Sequence, residues 1–190
     1  MPGYPAPVGI VSTDWQQVAS SYQQVFGTVL DSHSLLLVSI RLQRLDYLSA
    51  AGQISSYPVS TALNGVGCEE GSGCTPHGWH EIAEKIGDGA ECGAIFKGRV
   101  PNGIIARDLE SPTDDDAITS RVLWLRGLQP GINQQAPVDS YQRYIYIHGT
   151  AQEHLIGKPV SHGCVRMKNR DVITLFDRVR IGDRVLISTD

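Results

Sequence analysis

The chain has 190 residues, 41% of them hydrophobic, with a formal net charge of −4. That is enough apolar material for one well-formed core and short for two. The acidic balance offers no basic footprint, which excludes nucleic acid as the main partner.

The opening Met1-Pro-Gly-Tyr-Pro-Ala-Pro holds no Lys or Arg before Arg41, and the longest early apolar run, Leu35–Val38, is shorter than a secretory signal requires. No stretch is long enough to span a membrane. A cytoplasmic setting is therefore expected, with a periplasmic one if the chain is trimmed. Trp15, Val18, Ala19, Tyr22, Val25 and Phe26 fall at helical spacing, with Ser12 or Thr13 as cap and Gly27 as stop. Three strands follow, Leu35–Ile40, Leu42–Leu48 and Gln53–Ser60, and Pro58 assigns the third to an edge or a bulge. Residues 64–76, rich in glycine, read as a loop, and Trp79–Ile86 fits either a helix or a strand. Residues 97–117 read as a polar insertion, a lid or a solvated loop, with the acid run Glu110 to Asp116 facing solvent. Ile118–Leu125 alternates as a strand, and 127–137 is a turn-rich link. Asn169 caps a helix carrying Val172, Ile173, Leu175, Phe176 and Val179, and Arg184–Ser188 is the last strand. Many short strands with few helices predict a mainly β, single-domain sandwich or barrel, residues 34–190, preceded by an extension, residues 1–33, whose one short helix packs on it.

Reactive chemistry is concentrated in Tyr144-Ile-Tyr-Ile-His148-Gly-Thr and Ser161-His-Gly-Cys164-Val-Arg166-Met. A thiol attacks a carbonyl as thiolate, so it requires a base within reach, a group that fixes the base, and backbone N–H groups for the oxyanion. The alternation of Tyr144, Tyr146 and His148 with Ile145 and Ile147 predicts a half-buried strand with His148 at its exposed end. Gly163 lets the chain turn sharply beside Cys164. His148 and Cys164 are the candidate base and nucleophile. Zinc on His148, His154, His162 and Cys164 is the rival, but the spacing lacks the paired C-x-x-C or H-x-x-x-H form. A papain-like protease carries its Cys early and its His late, the reverse order. Cys68, Cys74 and Cys92 read as unbonded loop and core thiols; a Cys68–Cys74 pair on export, or a metal held with His77 and His80, are the alternatives.

These residues resemble the L,D-transpeptidase catalytic domain, the YkuD-like family, whose motif is a His, about a dozen residues, then Ser/Thr-His-Gly-Cys. Gly52-Gln-Ile-Ser-Ser-Tyr57-Pro-Val-Ser-Thr61 and Thr75-Pro-His-Gly78-Trp are similar to two further family stretches, although Ala62-Leu63 stands where Gly-Lys is common. The resemblance implies a strand for Trp79–Ile86 and a place near the site for loop 64–76. It also implies Cys164 as the acylated nucleophile, His148 as base, the Gly149 backbone as its orienting group, and His162 with Gly163 in the oxyanion environment. Ser161 and Arg166 are candidate substrate contacts, Arg166 pairing with a substrate carboxylate or else supporting the Cys loop. The implied partners are peptidoglycan stem peptides or muropeptides, and no cofactor or metal is expected. The implied reaction is attack on the bond between an L-centre and D-Ala of a tetrapeptide stem. Water as acceptor gives an L,D-carboxypeptidase, the expectation that goes with a cytoplasmic setting. A second stem gives a 3→3 crosslink, and a wall-binding module without turnover is the non-enzymatic rival.

Overall fold

A computed structural model describes residues 15–31, 34–106 and 117–190. Among them are ten strands: β1 Ser34–Ser39, β2 Arg44–Ser49, β3 Ile54–Ser60, β4 Gly78–Ile86, β5 Ala94–Lys97, β6 Val100–Ile105, β7 Ile118–Gly127, β8 Tyr146–Thr150, β9 Val165–Met167 and β10 Arg184–Ser188. Two α-helices, α1 (Trp15–Phe26) and α2 (Asn169–Arg178), accompany them. The order β4-β10-β1-β2-β3-β9-β8-β7 returns on itself because β7 also pairs with β4, so eight strands close a barrel-like ring and β5–β6 hangs from β7 as a hairpin. Closure removes the unpaired edges that an open sheet would present. This is the mainly β architecture expected.

Side chains alternate across a strand, and here both faces are covered. Leu36 and Val38 of β1, Ile82 of β4, and Val185 and Ile187 of β10 point inward, joining Val172, Leu175 and Phe176 of α2, and Val179 just after it, in the main core. The intervening Leu35, Leu37, Trp79 and Leu186 point outward and meet Val18 and Tyr22 of α1. Tyr22 stands edge-on to Trp79 with ring centroids 5.0 Å apart. Burying each such aliphatic side chain contributes roughly 1.5–3 kcal/mol, so both helices are held by side-chain packing rather than by helix propensity.

Three local expectations are corrected. β3 lies between β2 and β9 and is not an edge strand; Pro58 is tolerated because β9 pairs only with Val59 and Ser60, just beyond it. Residues 97–105 are not a plain insertion but a hairpin, in which Lys97 pairs with Val100 around the turn Gly98–Arg99. Asn169 does not cap α2 with its own side chain. The Glu153 carboxylate instead accepts both the Asn169 backbone N–H and its Nδ2, each at 2.7 Å, a favourable charge at a helix start. The proposed cap at Ser12 or Thr13 and the acid run near Asp114 lie outside the described residues.

His80, fully buried on β4, supports the approach to the site. Its Nδ1 lies 3.0 Å from the Gly78 carbonyl and must donate there, so Nε2 accepts from the Ser140 hydroxyl at 2.9 Å. Desolvation lowers its pKa from 6.5 to about 4, the Gly78 contact opposing and His77 and Arg143 adding to the effect. The folded state thus holds a neutral ring that the unfolded chain protonates first as pH falls. Stability tied to His80 is present above about pH 6.5 and is lost as pH drops toward 4, by about 3 kcal/mol in all. Denaturant titrations at pH 7.5, 5.5 and 4 are expected to show a shallower decline for His80→Gln than for wild type; parallel declines would refute this assignment.

Candidate active site

β8 is not the half-exposed strand its alternation predicts. All five residues, Tyr146–Thr150, are buried, and His148, in the middle of the strand, is 1% exposed. The reason is that β8 lies between β7 and β9 with both faces covered. Its Tyr/Ile alternation separates two buried environments, the inner core for Ile145 and Ile147 and an outer aromatic cluster for Tyr146.

β8 and β9 run parallel, with Ile147 opposite Val165 and His148 opposite Arg166. Ile147 and Val165 both point into the inner core. By the two-residue period, Tyr146, His148, Cys164 and Arg166 therefore share the outer face. Cys164 packs there beside Val122, Trp124 and Tyr146, two positions before Arg166 and hence diagonal to His148. The His148 Nδ1 lies 2.7 Å from the Gly149 carbonyl. A carbonyl only accepts, so Nδ1 carries the proton and Nε2 keeps the lone pair that a base requires. Gly149 is needed for space rather than for turning: a Cβ there would come 2.6 Å from the Thr119 carbonyl oxygen and 2.7 Å from Asn169 Oδ1.

The Cys164 turn is built from buried groups. Gly163 has φ +134°, where other residues are strained, and an added Cβ would stand 3.3 Å from the Cys74 carbonyl oxygen. Ser161, 1% exposed, donates to the Cys164 carbonyl at 2.6 Å and accepts the Gly163 N–H at 3.3 Å, so it shapes the turn from within. Thr75 donates to the Gly163 carbonyl at 2.9 Å, which ties loop 64–76 to the turn. The Tyr146 N–H donates to Cys164 Sγ at 3.4 Å, and the thiol faces the Tyr144 carbonyl at 3.4 Å. His162 is exposed beside Cys164. The Arg166 guanidinium, 2% exposed, donates to Gln152 Oε1 at 3.1 Å and to the Val160 carbonyl at 3.4 Å. It supports the segment before the Cys turn, and a substrate carboxylate would have to compete with those bonds.

Two arginines belong to the site without any local sequence signal. Arg143 donates to the carbonyls of Cys68 and Cys74, each at 2.8 Å, clamping loop 64–76 against the start of β8. Burial lowers its pKa, while Cys68, Cys74 and Cys164 oppose that, so its charge acts on the thiol region. Arg99, at the β5–β6 tip, lies over the Trp124 ring at 4.8 Å and the Tyr144 ring at 5.4 Å. Burial pushes the Cys68 thiol up, away from the thiolate. No three His, Cys, Asp or Glu side chains gather as metal ligands among the described residues, and no described helix is long and apolar enough to cross a membrane. The outer face thus carries a thiol and, diagonal to it, an imidazole held at Nδ1 by the Gly149 carbonyl, the two kinds of group that thiol-based acyl transfer employs.

The family model for the L,D-transpeptidase catalytic domain, YkuD, matches residues 33–187. Over shorter segments the chain is similar to proteins with L,D-transpeptidase names. YqjB of Bacillus subtilis strain 168 is 52% identical over 44 residues, 23% of this chain and 25% of that one. YbiS of Escherichia coli K12 is 47% identical over 53 residues, 26% of this chain and 17% of that one. These alignments span a quarter or less of the relatives' own length. Among solved structures, L,D-transpeptidase 3 of Mycobacterium tuberculosis is similar with TM-score 0.51 at 16% identity, over 83% of this chain and 61% of that one. Bd1075 of Bdellovibrio bacteriovorus gives TM-score 0.53 at 16% identity, over 83% and 48%. At such identity the structural likeness is one of fold. The family match, by contrast, runs from β1 into β10 through the closed ring and the Ser161–Cys164 turn, and the chain belongs to the L,D-transpeptidase catalytic domain (YkuD) family.

Proposed function

We propose that the protein cleaves the bond between the L-centre and the terminal D-Ala of peptidoglycan tetrapeptide stems, with Cys164 as nucleophile. His148 Nε2 takes the thiol proton as sulfur adds to the carbonyl, then passes it to the departing D-Ala amine, leaving a thioester. Water adds to the thioester, and the products are a tripeptide carboxylate and the regenerated thiol. His162 and Gly163 form the surroundings of the oxyanion. The observation that carries this reading is the shared outer face of His148 and Cys164, with Nδ1 fixed on Gly149.

We assign the acceptor to water on the expected cytoplasmic setting, with loop 64–76, tied to the Cys turn by Thr75, and the β5–β6 tip, over Tyr144, as the segments that would limit room for a second stem. An L,D-carboxypeptidase working on recycled muropeptides in the cytoplasm is the setting we attach to it. The L,D-transpeptidase names of the relatives favour a second reading, 3→3 crosslinking in the periplasm. Incubating purified protein with free tetrapeptide and weighing the products separates them. Loss of one D-Ala without dimers, even at high acceptor concentration, is the expected result. Accumulated 3→3 dimers, or recovery of the protein from the periplasm, would favour crosslinking, and unchanged tetrapeptide would leave a stem-binding module.

A further inference from the structure

We infer that Arg99, at the tip of the β5–β6 hairpin, recognises a substrate carboxylate lying within one residue of the carbonyl that Cys164 attacks. The inference rests on the acyl-transfer reading above and names what its substrate must carry.

The first observation is conformational. Gly98 and Arg99 form a two-residue turn with φ +59° and +69°, inside the Lys97–Val100 pair. Such turns favour Gly or Asn at both positions, because a left-handed backbone crowds any Cβ. An arginine there is held against its backbone preference, and strain of this kind collects at functional positions. The second is where the side chain goes. It lies over the rings of Trp124 and Tyr144 while remaining exposed.

Tyr144 links this cation to the reacting atom. Its carbonyl faces Cys164 Sγ at 3.4 Å, and its ring, at the other end of the same residue, lies under Arg99. Thiol and guanidinium thus meet the two ends of one tyrosine, which sets the cation beside the residues that flank an attacked carbonyl, each reaching roughly 3.5 Å along an extended peptide plus its side group. A guanidinium presents several N–H donors in a plane, so it can take both oxygens of a carboxylate. Glu84, the acid of this cluster, is engaged by the Tyr141 hydroxyl. Two groups of a stem satisfy the requirement: the D-Ala carboxylate beyond the scissile bond, and the side-chain carboxylate of diaminopimelate before it.

Four stems test the inference: tetrapeptides with diaminopimelate or Lys at the third position, each ending in D-Ala acid or D-Ala amide. Arg99→Gln is expected to lower kcat/KM by about 10–100-fold on stems with the recognised carboxylate, mainly through KM, with partial recovery in Arg99→Lys. The Lys stem ending in amide carries neither carboxylate and is expected to show no effect. A loss that follows the acid or amide end identifies the D-Ala carboxylate, and a loss that follows diaminopimelate identifies the other. Arg99→Gly removes the backbone strain, so a thermal midpoint unchanged or raised, together with the same loss of turnover, separates recognition from support of the fold. Equal losses on all four stems, or none, would overturn the inference while leaving the reaction standing. A wild type that cleaves none of them overturns the reaction, and this inference with it.

Discussion

Cys164→Ala is expected to abolish tetrapeptide turnover, on the order of 10⁴-fold or more, while the protein stays folded. The two effects separate because of where the thiol sits. Cys164 is half-buried at the rim of the Val122–Trp124–Tyr146 cluster, and its sulfur meets the Tyr146 N–H and the Tyr144 carbonyl, each at 3.4 Å. Removing it costs about 1 kcal/mol of stability, or a thermal midpoint about 2–4 °C lower. Intact mass after brief exposure to tetrapeptide is expected to show an adduct of the stem minus D-Ala in wild type and none in the variant. Cys68→Ser, Cys74→Ser and Cys92→Ser are expected to keep turnover, since loop 64–76 is held by Arg143 through main-chain carbonyls rather than by sulfur. Loss of activity in Cys68→Ser or Cys74→Ser equal to that in Cys164→Ala, or loss on chelation, would refute Cys164 as the sole essential thiol.

Much of this frame was legible in the residues, and the failures share a cause. β1, β2, β3, β7 and β10 were found within a few residues because their apolar runs are bounded by turns such as Ala50-Ala51-Gly52. The segment Trp79–Ile86, ambiguous by periodicity, was decided correctly as a strand by the family resemblance. His148 was misplaced because alternation usually marks one wet face, whereas here Tyr146 on the outer face is itself covered. Asn169 carries the signature of a cap, yet its amide is turned inward to the Thr150 carbonyl and accepts from Thr119 and Ser120. The β5–β6 hairpin was missed because Gly98, Pro101 and Gly103 interrupt any period-two pattern. Arg143 and Arg99 could not be seen at all, because their partners, the carbonyls of Cys68 and Cys74 and the ring of Trp124, are remote in sequence. Local pattern finds what a residue does for its own element; it is blind to what a turn residue does for another.

Gly149→Ala is the second large effect expected, and it joins stability to catalysis at one atom. The methyl would stand 2.6 Å from the Thr119 carbonyl oxygen, 2.7 Å from Asn169 Oδ1 and 3.0 Å from Thr119 Oγ1. None of these can retreat cheaply. Thr119 is paired with Gly149 across the β7–β8 ladder and with Ile95 on its other side. Asn169 is fixed by Thr150 and Glu153, and its Oδ1 already accepts the hydroxyls of Thr119 and Ser120. The strand must therefore shift away from β7, at about 3 kcal/mol, lowering the thermal midpoint by about 6–12 °C. That shift carries the Gly149 carbonyl with it, and the carbonyl sets the tautomer and tilt of His148 through the 2.7 Å contact at Nδ1. A displacement near 1 Å at the base costs on the order of 10²-fold in rate, so kcat is expected to fall in Gly149→Ala protein assayed well below its midpoint. Full activity in a destabilised variant would detach the Gly149 carbonyl from the orientation of the base; an unchanged midpoint would mean that β8 can move where its hydrogen bonds argue that it cannot.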